Sequence, residues 1–283
     1  MIPAQFDYVR AGSVEEAVAA LAEHGDEAKV LAGGQSLIPL LRLRLAYPEV
    51  VVDIGRVEEL RGVRDDGDHI VIGAMTTHHD VIRNALVKAH CGLVAEATET
   101  VADPAVRHRG TFGGALTHAD PAGDLPAVSL ALDAEFVVAG SGGRRTVAAA
   151  DFFVDYLQTA LAPDEVLVEV RLPKLGDGWG YRYEKFHRVA QAWAIVGVAA
   201  AVHRSNGSIS EARIGLTNMG STPLRATATE QALAGADLSA IADAAGHAAD
   251  GTTPSSDLNG AADYRQHLAR VLTRRAVVAA AGA

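Results

Sequence analysis

The sequence predicts an α+β protein of two domains. Three observations support this: short apolar strands alternate with helix-like segments in the first 175 residues, a Gly-rich linker follows at residues 174–178, and longer antiparallel strands come after it. We place the boundary near residue 176, which gives domains of residues 1–175 and 176–283. A chain of 283 residues is long enough for each domain to bury a core.

Residues 1–55 have the pattern of a small α/β subdomain. A capping-box pattern that begins at Ser13 predicts the first helix. A short strand and a glycine turn follow, and Pro39 is acceptable only in the first turn of the helix after that turn. We therefore expect this helix to begin near Ser36, with a second strand over residues 49–54.

Residues 56–175 form the second predicted subdomain. An Asp-Asp-Gly-Asp turn within residues 60–74 indicates a hairpin, and helices follow it. Regular periodicity then stops over residues 100–124, and structureless stretches of this length inside a domain tend to be functional. Beyond the linker, Asn206-Gly207 is a strong hairpin signal between antiparallel strands, and three helical stretches close the chain.

The composition argues against several classes of protein. A net charge of −10 disfavours nucleic acid as a partner. We expect neither a membrane span nor a signal peptide, because no apolar run approaches 18 residues and the N-terminus has no apolar core region, and we expect a cytoplasmic setting. The single cysteine, Cys91, allows no disulfide or four-cysteine iron–sulfur cluster within the chain. We interpret it as a buried structural thiol.

Two glycine motifs indicate a clamp for a diphosphate. Backbone N–H groups approach an anion closely where glycine leaves no side chain in the way. One such motif is equally typical of an ordinary turn, whereas two in one domain favour a dinucleotide, and neither matches the Rossmann or P-loop fingerprint. The first motif comprises Ala32, Gly33, Gly34, Gln35 and Ser36, followed by Leu37, and the second comprises Thr111, Phe112, Gly113, Gly114 and Ala115.

The segment from His118 to Asp124 admits three interpretations: a metal site, an acid/base site, or turn and cap chemistry. Two potential ligands at His-x-Asp spacing are too few for a metal without support elsewhere. Asp120, which precedes a proline, fits a helix N-cap, and Asp124 is suited to accept hydrogen bonds from a ribose or from loop amides. We interpret His78-His79 as a solvated helix surface.

Two further residues stand out in the second domain. Lys185 lies among aromatic residues in a predicted strand, where a snorkelling surface lysine is the ordinary interpretation. Trp193 heads an apolar strand, where the pattern predicts a core residue. We find no motif of nucleophilic catalysis. The residues alone therefore predict a two-domain α+β protein with a diphosphate clamp.

The two glycine motifs, together with His118-Ala119-Asp120-Pro121 and Asp124, resemble the FAD-binding medium subunit of the molybdenum hydroxylase family, which includes carbon monoxide and xanthine dehydrogenases. The resemblance covers essentially the whole chain, up to the closing Tyr264-Arg265. It implies an FAD-binding region of the vanillyl-alcohol oxidase (PCMH) type, made of two α/β subdomains. It also implies a C-terminal α+β domain with an antiparallel sheet and helices.

The resemblance implies roles for individual residues. Both glycine motifs would hold the FAD diphosphate, Asp124 would contact FAD, Leu161 would pack against the cofactor, and Lys185 would lie beside the flavin. Trp193 occupies a variable position of the family and is a candidate to face the isoalloxazine ring. Phe112 replaces the commoner isoleucine or valine. The chain lacks the cysteine-bearing insertion that holds a [4Fe–4S] cluster in benzoyl-CoA reductase relatives.

The function implied by the resemblance is electron relay. A large subunit with a molybdenum cofactor would oxidise the substrate, and a small subunit with [2Fe–2S] clusters would pass the electrons to FAD in this chain. FAD would deliver them to an external acceptor, in a dimer of heterotrimers. We expect no residue here that acts on the organic substrate. Two alternatives remain: a free-standing FAD-dependent oxidoreductase that binds its own substrate, and a non-catalytic flavin carrier or assembly factor.

Overall fold

A small parallel sheet forms the first subdomain of the computed structural model, which describes residues 2–282. Its elements are β1 Asp7–Arg10, α1 Val14–His24, β2 Ala28–Leu31, α2 Leu37–Leu43 and β3 Val50–Asp53. The strand order is β1–β3–β2, and both pairings are parallel. Strands β2 and β3 and both helices follow the sequence prediction. Strand β1 was missed because it is a short edge strand whose residues are mostly exposed.

Helix α1 begins where the capping-box pattern predicts. The Ser13 hydroxyl accepts a hydrogen bond from the backbone N–H of Glu16 at 3.2 Å, and the helix ends at Gly25, which has a φ of 53°. The carboxylate of Glu16 accepts from the N–H of Gly12 at 2.7 Å. Helix α2 also begins as predicted, directly after Ser36.

A five-stranded antiparallel sheet organises the second subdomain. Its strands are β4 Val63–Asp66, β5 His69–Gly73, β6 Glu135–Gly140, β7 Gly143–Ala148 and β10 Val166–Pro173, and a small hairpin is formed by β8 Phe153–Asp155 and β9 Gln158–Thr159. The order in the sheet is β4–β5–β10–β6–β7. The helices are α3 His78–Arg83, α4 Ala85–His90, α5 Gly92–Glu99, α6 Pro104–Arg107, α7 Phe112–His118, α8 Asp124–Ala131 and α9 Ala149–Phe152.

The segment predicted to lack regular structure, residues 100–124, contains two helices. Helix α6 is capped by Asp103, whose carboxylate accepts from a backbone N–H at 2.9 Å. Helix α7 is capped by Thr111, whose hydroxyl accepts from the N–H of Gly114 at 3.2 Å. The prediction was wrong because helices of one or two turns are too short to show apolar periodicity. The second glycine motif therefore lies in the first turn of a helix.

A four-stranded antiparallel sheet and its helices form the rest of the chain. The elements are β11 Trp179–Phe186, β12 Val196–Ser205, β13 Ser208–Thr217, β14 Leu224–Arg225, α10 Thr227–Leu233, α11 Ile241–Ala244 and α12 Ala262–Ala280. The strands are neighbours in chain order. Asn206 and Gly207 have φ angles of 53° and 87°, as a type I′ turn requires, so the predicted hairpin is confirmed. Among the helices described, none combines the length and apolar character needed to cross a bilayer.

Both faces of the C-terminal sheet are buried. Ala199 and Ala201 of β12 pack into the core of the second subdomain, whereas the residues between and beside them belong to a core that includes α12. The small residues allow a close approach of α8. A Cβ on Gly215 would overlap the carbonyl oxygen of Ala127 on that helix. The sheet is therefore seated on α8 through its backbone.

We expect Gly215→Ala to lower the melting temperature by several degrees. The added Cβ has to displace the carbonyl of Ala127, and overpacking of this kind costs about 1–3 kcal/mol. Thermal unfolding of the purified chain measures the effect. Gly142→Ala is the matched control, because no atom lies within 4 Å of its added Cβ. Equal melting temperatures for the two variants would show that α8 is not seated tightly on the sheet.

Candidate functional site

A cleft of about 740 Å³ brings together β2, α2, α7, α8 and the C-terminal domain. All but two of the candidate residues predicted from the sequence line it. They are Ala32, Gly33, Gly34, Gln35, Ser36, Leu37, Thr111, Gly114, Ala115, Asp124, Leu161, Lys185 and Trp193. The fold therefore collects residues separated by as many as 161 positions around one cavity, which is within the size range of cofactor sites.

Phe112 and Gly113 lie behind the wall of the cleft. The side chain of Phe112 is fully buried, and its backbone N–H donates to the carbonyl of Thr76 at 2.9 Å. The N–H of Gly113 donates to the carbonyl of Ala74, also at 2.9 Å. Their direct contact with a cofactor stays a prediction, and this geometry does not favour it.

The glycines of the two motifs make close contacts between protein backbones. A Cβ on Gly33 would overlap the carbonyl oxygen of Arg109 and lie 2.8 Å from the Cα of Gly110. A Cβ on Gly113 would lie 2.5 Å from the Cβ of Ala74. The sequence led us to expect that glycine leaves room for an anion at both positions. The space beside them is filled by protein atoms instead, so these glycines allow the two motifs and the sheet to pack together.

The first glycine motif lines the cleft and has backbone donors without a protein acceptor among residues 2–282. Within residues 2–282, the backbone N–H groups of residues 33–36 donate to no protein acceptor. Gly34 has a φ of 74°, a conformation that favours glycine, and it turns the chain between β2 and α2. The amide of Gln35 donates to the carbonyl of Gly33 at 3.1 Å and holds this turn. A row of free N–H groups in a turn is suited to an anionic ligand.

A buried ion pair joins the two domains at the cleft. The Nζ of Lys185 on β11 lies 2.8 Å from the Oδ2 of Asp124 at the start of α8, and the two side chains are 3% and 4% exposed. Lys185 also donates to the carbonyl of Thr100 at 3.1 Å, and the hydroxyl of Tyr183 donates to the Oδ1 of Asp124 at 2.7 Å. Burial raises the pKa of Asp124, and the positive charge of Lys185 opposes this.

The interpretation of Lys185 as a snorkelling surface lysine was therefore wrong. Its carboxylate partner lies 61 positions earlier in the chain, and no local pattern reveals such a pair. The interpretation of Trp193 as a core residue was also wrong. Trp193 is 53% exposed and belongs to the connection before β12, with its ring centroid 6.3 Å from that of His118.

The contacts of the segment from His118 to Asp124 support the turn interpretation. Asp120 caps no helix, because its carboxylate accepts from the N–H of Ala122 at 2.9 Å and α8 begins only at Asp124. The Nε2 of His118 lies 3.9 Å from the Oδ2 of Asp120, and burial lowers the pKa of His118. In the part of the chain described here, no three His, Cys, Asp or Glu side chains converge as a metal site requires.

His78 is buried, so its interpretation as a solvated residue was wrong. Burial lowers the pKa of His78 to about 4. Its backbone N–H donates to the carbonyl of Gly110, which comes from a distant segment that covers it. His79 is half-buried and stacks on His108. The interpretation of Cys91 is confirmed, because the thiol is buried and burial raises its pKa to about 12.

Comparison with known protein families shows the family to which this chain belongs. The profile of the FAD binding domain in molybdopterin dehydrogenase matches residues 4–175, and that of the CO dehydrogenase flavoprotein C-terminal domain matches residues 181–280. The chain belongs to the molybdopterin dehydrogenase flavoproteins. Their FAD-binding and C-terminal domains confirm the resemblance and the fold class, and FAD is the cofactor of this chain. The domain boundary near residue 176 stays a prediction.

Individual members of the family are similar along their whole length. The chain is 44% identical to the carbon monoxide dehydrogenase medium chain of Hydrogenophaga pseudoflava, over 99% of this chain and 98% of that protein. It is 37% identical to the glyceraldehyde dehydrogenase medium chain of Sulfolobus acidocaldarius, over 98% of each. The solved carbon monoxide dehydrogenase of Hydrogenophaga pseudoflava contains a chain that superposes with a TM-score of 0.97 at 46% identity, over 99% of this chain and 98% of that one. The protein is thus an oxidoreductase subunit.

We expect Gly33→Val to lower both thermal stability and FAD occupancy. The new side chain has to push the first glycine motif away from Arg109 and Gly110, which also displaces the free N–H groups of residues 33–36. Flavin absorbance per mole of purified protein and the melting temperature measure the two effects. Gly176→Val is the control, because its added Cβ meets open space. Wild-type values for Gly33→Val would contradict the backbone contact between the motifs.

We expect His78 to make the protein less stable as the pH falls. The pKa of His78 is about 4 in the folded chain and 6.5 without burial, so only the unfolded state takes up a proton between these values. The stability that neutral His78 contributes above pH 6.5 is therefore lost as the pH falls. The free energy of unfolding should decrease by about 2 kcal/mol between pH 7 and pH 5. Denaturant unfolding of the wild type, His78→Gln and the control His79→Gln tests this. The slope of stability against pH should flatten only in His78→Gln, and equal slopes in all three proteins would refute the assignment.

Proposed function

We propose that the chain is the electron-relay subunit of a molybdenum hydroxylase complex. The observation that carries this proposal is the cleft itself, which is lined both by residues 33–36, whose backbone N–H groups have no acceptor within residues 2–282, and by the buried Lys185–Asp124 pair that joins the two domains. When bound, FAD supplies a carrier that accepts electrons singly and delivers them singly or in pairs. The task of the chain's own residues is then to bind, orient and tune this cofactor.

The first glycine motif fits the diphosphate of FAD. Residues 33–36 line the cleft, their N–H groups donate to no acceptor in the described part of the chain, and a diphosphate offers acceptors to all of them. We propose that Ala32 and Leu37 flank this contact. Thr111, Gly114 and Ala115 line the same cleft and would close over the diphosphate from the second motif. Phe112 and Gly113 lie behind the wall of the cleft, where their backbone hydrogen bonds would hold the second motif in place.

Lys185 and its neighbours in the cleft are suited to contact the flavin ring. Lys185 has three N–H donors, and two of them meet Asp124 and Thr100. We propose that the third faces the flavin, where a positive charge favours the electron-rich reduced cofactor. Asp124 offsets part of this charge. Leu161 and Trp193 also line the cleft and offer apolar and aromatic surface for the ring.

The names of the relatives support a partnership with other subunits. Carbon monoxide dehydrogenase and glyceraldehyde dehydrogenase act on chemically different substrates, yet their medium chains both align with nearly the whole of this chain. Because similar medium chains occur in dehydrogenases with different substrates, we expect the medium chain to transfer electrons and not to bind the organic substrate. We propose a large partner with a molybdenum cofactor and a small partner with [2Fe–2S] clusters. We further propose a cytoplasmic dimer of such heterotrimers.

Anaerobic reduction of the flavin tests the proposed function. We expect the purified chain to be yellow with one FAD, and its flavin to stay oxidised when carbon monoxide, aldehydes or N-heterocycles are added. In the complete complex, the substrate should bleach the flavin, and a complex stripped of FAD should reduce its iron–sulfur clusters but not the external acceptor. Bleaching in the isolated chain would favour a free-standing oxidoreductase. Undiminished acceptor reduction without FAD would favour a flavin carrier.

A further inference from the structure

Tyr183 places a buried hydroxyl beside the ion pair at the cleft. It lies on β11 two residues before Lys185, so both side chains point from the same face of the strand towards the first domain. Tyr183 is 4% exposed, and its hydroxyl donates to the Oδ1 of Asp124 at 2.7 Å. Its backbone N–H donates to the carboxylate of Glu96 on α5 at 3.0 Å. The residue is therefore held at both ends.

The neighbouring strand leaves room for this hydroxyl. Gly197 on β12 is paired with Lys185, and a Cβ on Gly197 would lie 2.5 Å from the hydroxyl oxygen of Tyr183 and 3.0 Å from the Cβ of Thr217. Any other residue at this position would fill the space that the hydroxyl occupies. The position of the Tyr183 hydroxyl is therefore set by the sheet, and the sheet fixes the direction from which Asp124 receives its second donor.

The two oxygens of Asp124 have different donors. Lys185 donates to Oδ2 and Tyr183 donates to Oδ1. If the hydroxyl is removed, Oδ1 is left buried without that donor. Burial without a donor favours the protonated form of a carboxyl group. A protonated Asp124 would no longer balance the charge of Lys185.

We propose that Tyr183 is a positioning residue that keeps Asp124 ionised and paired, and thereby sets the net charge that Lys185 presents to the flavin. The proposal rests on the placement of FAD beside Lys185 under the proposed function. Tyr183 touches neither the organic substrate nor the partner subunits in this scheme. It acts through Asp124, from the core that the C-terminal sheet shares with the second subdomain, on the reduction potential of the cofactor.

Tyr183→Phe, which removes only the hydroxyl, tests this proposal. Infrared spectroscopy of the purified chain should show a protonated carboxyl band in the variant that is absent from the wild type and from the double variant Tyr183→Phe/Asp124→Asn. The midpoint potential of the bound flavin, measured in the same variant by reductive titration, should shift to a more positive value. Tyr181→Phe is the matched control, because Tyr181 lies on the same strand and face, and it should show neither change.

A second variant covers the case in which Tyr183→Phe does not fold. Gly197→Ala keeps the hydroxyl but forces it to move, because the added Cβ would lie 2.5 Å from the hydroxyl oxygen. We expect this to weaken its hydrogen bond to Asp124 and to produce the same carboxyl band and the same direction of shift. If no carboxyl band appears in either variant, the role of Tyr183 is overturned while FAD binding stands. If the band appears without a shift in potential, the placement of the flavin beside Lys185 is overturned, and the proposal fails with it.

Discussion

The ion pair between Asp124 and Lys185 fixes the two domains against each other. Both side chains are almost fully buried. Asp124 lies at the start of α8 in the first domain, and Lys185 lies on β11 in the second. Removal of one partner from a buried pair leaves an uncompensated charge and costs about 3–5 kcal/mol. The pair therefore ties α8 to β11, in addition to the backbone contact between Gly215 and Ala127 that seats the sheet on α8. Asp124 and Lys185 both line the cleft, so the shape of the cleft depends on their contact.

The two glycine motifs differ in what their backbones do. In the first, the N–H groups of residues 33–36 donate to no protein acceptor within residues 2–282, and these residues line the cleft. In the second, the amides of Phe112 and Gly113 are committed to carbonyl groups of the second subdomain. The first motif thus offers backbone donors to a ligand. The second motif is a rigid support, and the close contact between Gly33 and Arg109 holds the two motifs together. A sequence shows paired glycines in both places and cannot distinguish these tasks.

Local signals predicted much of the fold. The cap at Ser13, the proline in the first turn of α2 and the Asn206-Gly207 hairpin are each decided by a few adjacent residues, and all three are confirmed. The features that sequence reasoning missed depend on distant segments. Burial of His78 requires the segment around Gly110 to fold over it, and the partner of Lys185 comes from another domain. Only the resemblance to a family, and not the pattern of residues, pointed to FAD and to Lys185 as part of its site.

The deep burial of Cys91 has a practical consequence for spectroscopy. The thiolate is the form of cysteine that reacts with maleimides, and a thiol with a pKa of about 12 is almost entirely protonated at neutral pH. Because Cys91 is the only cysteine of the sequence, the native chain offers almost no target for such reagents. A cysteine introduced at Tyr156, which is exposed near the β8–β9 hairpin, would carry a fluorophore or spin label alone. A label at this position can therefore report distances within a complex without loss of any native thiol.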